Sequence, residues 1–270
     1  MREAVDGWRA SGEQVALVPT MGALHEGHLS LVEAGRRHAS RIIVSIFVNP
    51  TQFGPNEDFQ KYPRSFEDDC CKLMASQVDA VYFPSVGEMY PADFATTVRV
   101  VGPAAVGLED QFRPGHFEGV ATVCCKLFAQ SRADFVVFGE KDFQQLKVVT
   151  RMASDLGLGT RVIPVETLRE PDGLAMSSRN RYLTAEERYQ APTLHRVMQN
   201  LAANIRLRKS VAQAISAARD ELTASGFAVD YLEVRGAETL EPVSSLTGGS
   251  VRILAAARLG GTRLIDNIAV

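Results

Sequence analysis

Residues 41–48 read RIIVSIFV, an apolar, β-branched run without polar alternation. A strand of that kind is buried on both faces, as in parallel sheets covered by helices. Ahead of it lie a short apolar run, Gln14 to Val18, stopped by Pro19, and a helical pattern from Leu29 to Arg37. Strand, helix, strand in that order is a βαβ unit. The cadence continues with a helix from Ser65 to Gln77, strands at Ala80 to Phe83 and Thr96 to Val101, and a helix from Glu118 to Gln130. A strand from Asp134 to Phe138, a helix from Phe143 to Leu156 and a strand from Arg161 to Leu168 complete it. Pro164 lacks an N–H donor, which puts that last strand at an edge. The expectation over 1–168 is an α/β domain with a doubly wound parallel sheet, Rossmann-like.

After Leu168 the pattern changes. Residues 169–180, REPDGLAMSSRN, read as a loop. Helices are expected from Ala185 to Leu207 and Val211 to Ser225, then strands at Val229 to Arg235, Val251 to Ala257 and Arg263 to Ile268. Gly226 leads into the first strand, and Thr247-Gly248-Gly249 reads as a turn before the second. Helices followed by strands form a smaller α+β domain, 169–270.

Composition narrows the function classes. The 270 residues carry 29 Lys and Arg against 32 Asp and Glu, a formal net charge of −3. That balance argues against a protein that grips a nucleic-acid backbone, and no nucleic-acid partner is expected. The N-terminal residues lack the apolar stretch of a signal peptide, and no apolar run approaches the roughly 18 residues of a membrane span, so no membrane partner is expected. The four cysteines, Cys70-Cys71 and Cys124-Cys125, lack metal-site spacing. Free thiols imply a reducing cytoplasmic location. No protein metal ligands are assigned; Glu67, Asp68 and Asp69 read as the acidic first turn of a helix.

Five segments carry chemistry. Residues 19–28, PTMGALHEGH, follow a strand and open a helix. Gly22 and Gly27 let a backbone approach a ligand, and a helix N-terminus attracts phosphate. His25 and His28 fall on one face of a helical turn, suited to donate to phosphoryl oxygens. Residues 45–53, SIFVNPTQF, end a buried strand at the sheet edge where ligands bind, with Asn49 and Gln52 able to hydrogen-bond a hydroxy acid. Residues 138–146, FGEKDFQQL, offer Lys141 as a phosphate cation, Glu140 and Asp142 as dipole partners or contacts to a ribose or metal, and Gln145 about one turn on. Residues 175–180, AMSSRN, can wrap a triphosphate with two hydroxyls and an Arg. Residues 113–120, RPGHFEGV, read as a lid or a helix entrance, with His116 in a capping or packing role.

Taken together these segments resemble one family. HEGH resembles the HIGH signature of the class I synthetase and nucleotidyltransferase superfamily, and MSSRN its mobile KMSKS loop. PTMGALHEGH, SIFVNPTQF, RPGHFEGVAT, FGEKDFQQL, DGLAMSSRN and TRLIDN, in order from Val15 to Asn267, are similar to the pantothenate synthetase (pantoate–β-alanine ligase) family. Relative to that family the chain starts several residues late, ahead of Arg2.

The resemblance implies ATP-dependent condensation of pantoate with β-alanine through a pantoyl adenylate, with Mg²⁺ accompanying ATP and AMP and pyrophosphate leaving. It implies that Met21, Gly22, Ala23, Leu24, His25, Glu26, Gly27 and His28 lie along ATP, His28 as proton donor. Gly139, Glu140, Lys141, Asp142 and Leu168 would contact the nucleotide, and Met176, Ser177, Ser178 and Arg179 would close over its phosphates. Gln52 and Gln145 would hold pantoate, Gln52 near β-alanine as well. The residues expected to act on the reacting charges are His25, His28, Lys141 and Arg179, in a homodimer. A related nucleotidyltransferase, a tRNA-charging fragment and a non-catalytic nucleotide sensor are the competing readings of the residues.

Overall fold

The protein is described from a computed structural model covering residues 1–207, 210–244 and 249–270. The expected turn at Thr247 and Gly248 lies outside the described residues. The chain divides into two compact units, 1–140 with 144–166, and 141–143 with 167–270. The expected boundary at Leu168 therefore falls just inside the second unit. The Leu168 carbonyl accepts the Met176 N–H there, at 3.1 Å.

The first unit starts with helix α1 (Arg2–Ala10), then β1 (Val15–Thr20), α2 (Glu26–Arg36), β2 (Arg41–Ile46), α3 (Phe66–Ala75) and β3 (Ala80–Tyr82). Short helices α4 (Val86–Met89) and α5 (Glu109–Phe112) precede α6 (His116–Ser131), β4 (Phe135–Gly139), α7 (Phe143–Asp155) and β5 (Arg161–Val165). The strands form a five-stranded sheet in the order β3-β2-β1-β4-β5. Every pairing in it is parallel. The order reverses at β1, so the loops after β1, β2 and β4 leave the sheet at the place where such folds bind ligands. The core packs Ala16, Val18, Ile42, Val44 and Val137 of the strands against Leu31 and Val32 of α2 and Leu73 of α3. β5 is an edge strand carrying Pro164, as its missing donor requires.

Two expectations are corrected here. Pro19 does not stop β1; it lies within it, opposite Ser45 of β2. Pairing with β4 covers only Ala16 and Leu17, so at Pro19 the missing N–H breaks no ladder on that side. Residues 96–101 form no strand. The Val98 N–H instead donates to Thr122 Oγ1 of α6 at 2.9 Å, and Arg99 pairs with Glu118 on the same helix.

The second unit holds α8 (Ala185–Gln190), α9 (Thr193–Arg206) and α10 (Val211–Ala224), then β6 (Phe227–Gly236), β7 (Val251–Leu259) and β8 (Thr262–Ala269). The three strands make an antiparallel sheet in sequence order. Leu194, Val197, Met198 and Leu201 of α9 and Leu222 of α10 join Leu232, Ile253 and Leu264 of the sheet in one core. The single helix expected from Ala185 to Leu207 is two, because Pro192 cannot donate to a continuing ladder and stands at the start of α9.

The cysteines are unpaired: Cys124 is buried, Cys70 and Cys125 half-buried and Cys71 exposed. Among the described residues no helix is long and apolar enough to cross a membrane.

Candidate active site

In the first unit the turn after β1 is built against strain. Thr20 Oγ1 donates to the Ser45 carbonyl at 2.8 Å and accepts the Gly22 N–H at 3.2 Å. Gly22 (φ +80°) and Ala23 (φ +51°) then both take the left-handed conformation, which disfavours a residue with a Cβ. What holds Ala23 there is Asp69. Its fully buried carboxylate accepts the Ala23 and Leu24 N–H groups, each at 2.8 Å. Lys72, on the same helix α3, donates to the Leu24 carbonyl at 2.5 Å. The expected reading of Asp69 as a dipole-favoured helix-start acid is thus incomplete. Asp69 and Leu73 are the buried residues of α3, four apart on one face. An acid on an apolar helix face is the signal that could have found it.

This turn delivers the two histidines. His25 is not inside α2 but caps it, its Nδ1 accepting the Gly27 N–H at 3.2 Å. His28 Nδ1 accepts the His25 N–H at 3.3 Å, and the rings lie 4.1 Å apart. With both Nδ1 atoms serving as acceptors, the neutral rings carry their protons on Nε2. The cap therefore sets two Nε2–H donors at a helix N-terminus. Of the other residues in this stretch, Gly22, Ala23 and Leu24 are buried, Met21 and Gly27 half-buried, and Glu26 exposed.

The loop after β2 is closed as tightly. Asn49, only 1% exposed, accepts at Oδ1 from the Tyr90 hydroxyl (2.8 Å) and the Thr51 hydroxyl (2.9 Å). Its Nδ2 donates to Gln52 Oε1 (3.0 Å) and to the Gly119 carbonyl (3.2 Å). Asn49 is thus hydrogen-bonded within the protein and stands behind Gln52. Gln52 is half-buried, its Nε2 3.5 Å from Met21 Sδ. The 113–120 segment is a helix entrance, not a lid: Gly115 (φ +80°) starts α6, and His116 is buried.

Gly139 ends β4 and Glu140 opens the short turn after it, both half-buried. Of the adjacent glutamines, Gln144 is buried, bonding the Glu109 N–H, the Pro103 carbonyl and Asp110. Gln145 is half-buried.

In the second unit, Lys141 Nζ lies 3.7 Å from Asp142, and the Lys141 carbonyl accepts from Asn267 Nδ2 at 2.9 Å. Asn267 also binds Arg252, whose guanidinium stacks 4.0 Å from the Phe143 ring centroid. One residue earlier, buried Asp266 takes two bonds from Arg169, at 2.7 and 2.9 Å. Arg169 opens a small hairpin closed by its bridge to Ala175, with Leu168 40% exposed beside it. Ser177 Oγ caps the following turn by accepting the Arg179 N–H at 3.3 Å. Ser178 is buried, while Met176, Ser177 and Arg179 are half-buried. The residues TRLIDN, which carried no role in the sequence, therefore tie the Lys141 segment and the MSSR hairpin to β8.

A doubly wound α/β unit with polar loops at its switch point, joined in sequence to a small antiparallel unit, defines the class. The model of a family described as Pantoate-beta-alanine ligase matches residues 1–269, and the chain belongs to that family. A pantothenate synthetase of Rhodopseudomonas palustris (strain BisA53) is 58% identical over all of this chain and 95% of its own. A pantothenate synthetase structure from Thermus thermophilus superposes with a TM-score of 0.92 at 48% identity, covering 98% of this chain and 96% of that one. A Francisella tularensis pantoate–β-alanine ligase, solved with β-γ ATP and β-alanine, gives 0.82 at 32% identity, covering 99% and 95%.

Proposed function

We propose that this chain condenses pantoate with β-alanine using ATP, through a pantoyl adenylate, releasing AMP and pyrophosphate. The observation that carries the reading is the capped pair His25 and His28, with Nε2–H donors at a helix N-terminus, in a chain whose residues 1–269 match this family.

A carboxylate is already ionised near pH 7, so attack on the α-phosphorus needs positioning and charge neutralisation more than a base. In this reading Met21 to His28 run along the nucleotide, and Gly139, Glu140, Asp142 and Leu168 contact it. His25 and His28 donate to phosphoryl oxygens. Lys141 and Arg179 supply positive charge as pyrophosphate leaves, with Met176, Ser177 and Ser178 in the loop that carries Arg179. Gln52 and Gln145 hold pantoate, and Asn49 fixes the Gln52 amide by its side-chain oxygen, leaving Nε2–H, near Met21 Sδ, as the donor side. The second step is attack by the unprotonated β-alanine amine on the adenylate carbonyl.

Mg²⁺ would enter with ATP. Among the described residues no three His, Cys, Asp or Glu side chains gather into a metal cage. In this reading the ion is held mainly by phosphate oxygens, as Mg²⁺ commonly is. When bound it neutralises phosphate charge. We also propose a homodimer, the commonest closed oligomer, and a cytoplasmic location, where the unpaired thiols stay reduced. Light scattering that gave the mass of one chain would contradict the dimer.

The test of the reaction is AMP release with each substrate omitted in turn. AMP is expected to accumulate with turnover only when pantoate, β-alanine and ATP are all present. Turnover without β-alanine, or a dinucleotide product without AMP, would exclude it.

A further inference from the structure

The first unit contains an ordered chain of hydrogen bonds, absent from the mechanism above, that ends on Gln52. Glu57 receives two bonds from Arg113, both at 2.7 Å. Arg113 Nη1 also lies 3.0 Å from His116 Nε2, and Nη2 lies 3.4 Å from the Gln52 carbonyl. His116 Nδ1 lies 2.8 Å from that same carbonyl oxygen.

The partners fix every proton. A guanidinium only donates, so His116 Nε2 must be the acceptor. A carbonyl only accepts, so His116 Nδ1 must carry the hydrogen. His116 is thus a neutral imidazole of one tautomer, relaying orientation from Arg113 to Gln52. The charged groups facing it are Arg113, Glu57 and Glu109. Burial and the Arg113 charge lower its pKa to about 4, so it stays neutral at ordinary pH. With 7% exposure and both ring nitrogens engaged, it is not placed to exchange protons with a substrate.

The packing serves the same turn. One turn along α6, a Cβ on Gly119 would lie 2.4 Å from the Thr51 carbonyl oxygen and 2.7 Å from the Gln52 nitrogen. Only glycine lets the helix sit against the 50–52 turn. Asn49 holds the Gln52 side-chain oxygen from the other end, at 3.0 Å. Backbone and amide of Gln52 are therefore gripped separately.

We propose that His116 is a positioning residue for the acid substrate, acting through its Nδ1–H on the Gln52 carbonyl. This rests on the reading of Gln52 as a pantoate contact. The role predicts a dependence on one donor at one reach, which mere filling of space does not.

The experiment compares His116→Asn, His116→Gln and His116→Ala in the whole enzyme. KM for pantoate, KM for ATP, kcat and Tm are measured for each. Asparagine puts an amide N–H near the place of Nδ1–H; glutamine puts the same group near Nε2. Loss of the bond in His116→Ala and His116→Gln is expected to raise KM for pantoate about tenfold, the upper range for one hydrogen bond. KM for ATP is expected to change less than about twofold, and His116→Asn to return to within about threefold of wild type. If His116→Ala does not fold, the Asn and Gln variants still make the comparison. Equal KM values for pantoate in the Asn and Gln variants, or a rise shared by ATP, would overturn the proposal. Wild-type enzyme without pantoate-dependent AMP release would overturn the proposed function as well. Active wild type with indistinguishable variants overturns only the role of His116.

Discussion

Asp69→Asn probes the strained turn on which the histidine pair depends. The carboxylate accepts two backbone N–H groups at 2.8 Å from a fully buried position. A hydrogen bond to a charged group is worth ~1.5–3 kcal/mol, and a buried N–H left without an acceptor costs ~1–3 kcal/mol. Asparagine keeps one acceptor oxygen and turns an NH₂ toward the other N–H, so about one of the two bonds is lost. The expected destabilisation is roughly 2–4 kcal/mol, or roughly 4–16 °C in Tm for a domain of this size. The functional effect goes further, because Ala23 at φ +51° has no intrinsic preference for that conformation. Once released, the turn relaxes and the α2 cap moves with it. A displacement of about 1 Å at reacting groups costs about 10²-fold in rate. The assays are thermal unfolding followed by circular dichroism, and kcat with KM for ATP measured well below the variant's Tm. We expect a lower Tm and a large fall in kcat. Unchanged Tm would refute the anchor, and lowered Tm with kcat within twofold would show that the anchor stabilises the turn without positioning the histidines.

Three further outcomes follow from the same structure. Gly119→Ala forces a methyl to 2.4 Å from backbone that cannot yield. It is expected to cost ~1–3 kcal/mol and to raise KM for pantoate more than that for ATP, and unaltered KM values would contradict the packing argument. Burial raises the Glu57 carboxyl, but Arg113 outweighs it and the pKa lies below its ordinary value. A folded-state pKa below the unfolded one stabilises fully above roughly pH 4.3 and is lost as pH falls through the folded value. The Tm gap between wild type and Glu57→Gln is therefore expected to shrink between about pH 7 and about pH 3; a gap that persists contradicts it. His28→Ala and Lys141→Ala are expected to lose ~10²–10³ in turnover with ATP and to regain most of it when synthetic pantoyl adenylate is supplied in single-turnover experiments. His28→Ala that stays equally impaired there would mean His28 also serves the amine step.

The strands and most helices were legible because apolar periodicity is local. RIIVSIFV could hardly be other than a buried strand, and the helix from Ser65 to Gln77 lies within two residues of α3. The misreadings have local causes too. Residues 96–101 have strand-like composition, but their backbone is satisfied by a helix side chain. Pro192 divides a helix whose pattern runs through it. The motif residues were legible as types at sheet-edge positions, and their supports were not. Asp69 meets Ala23 across 46 positions, His116 meets Gln52 across 64, and Asn267 meets Lys141 across 126. No periodicity links such pairs. Asn49 and Gln52 look interchangeable in sequence, and only the fold shows one buried behind the other.

The central claim is that acid activation precedes amide formation. It is tested most directly by exchange of labelled pyrophosphate into ATP, with pantoate and β-alanine supplied separately. The account predicts exchange that requires pantoate and proceeds without β-alanine. Exchange that appears only when β-alanine is added would contradict the adenylate-first order.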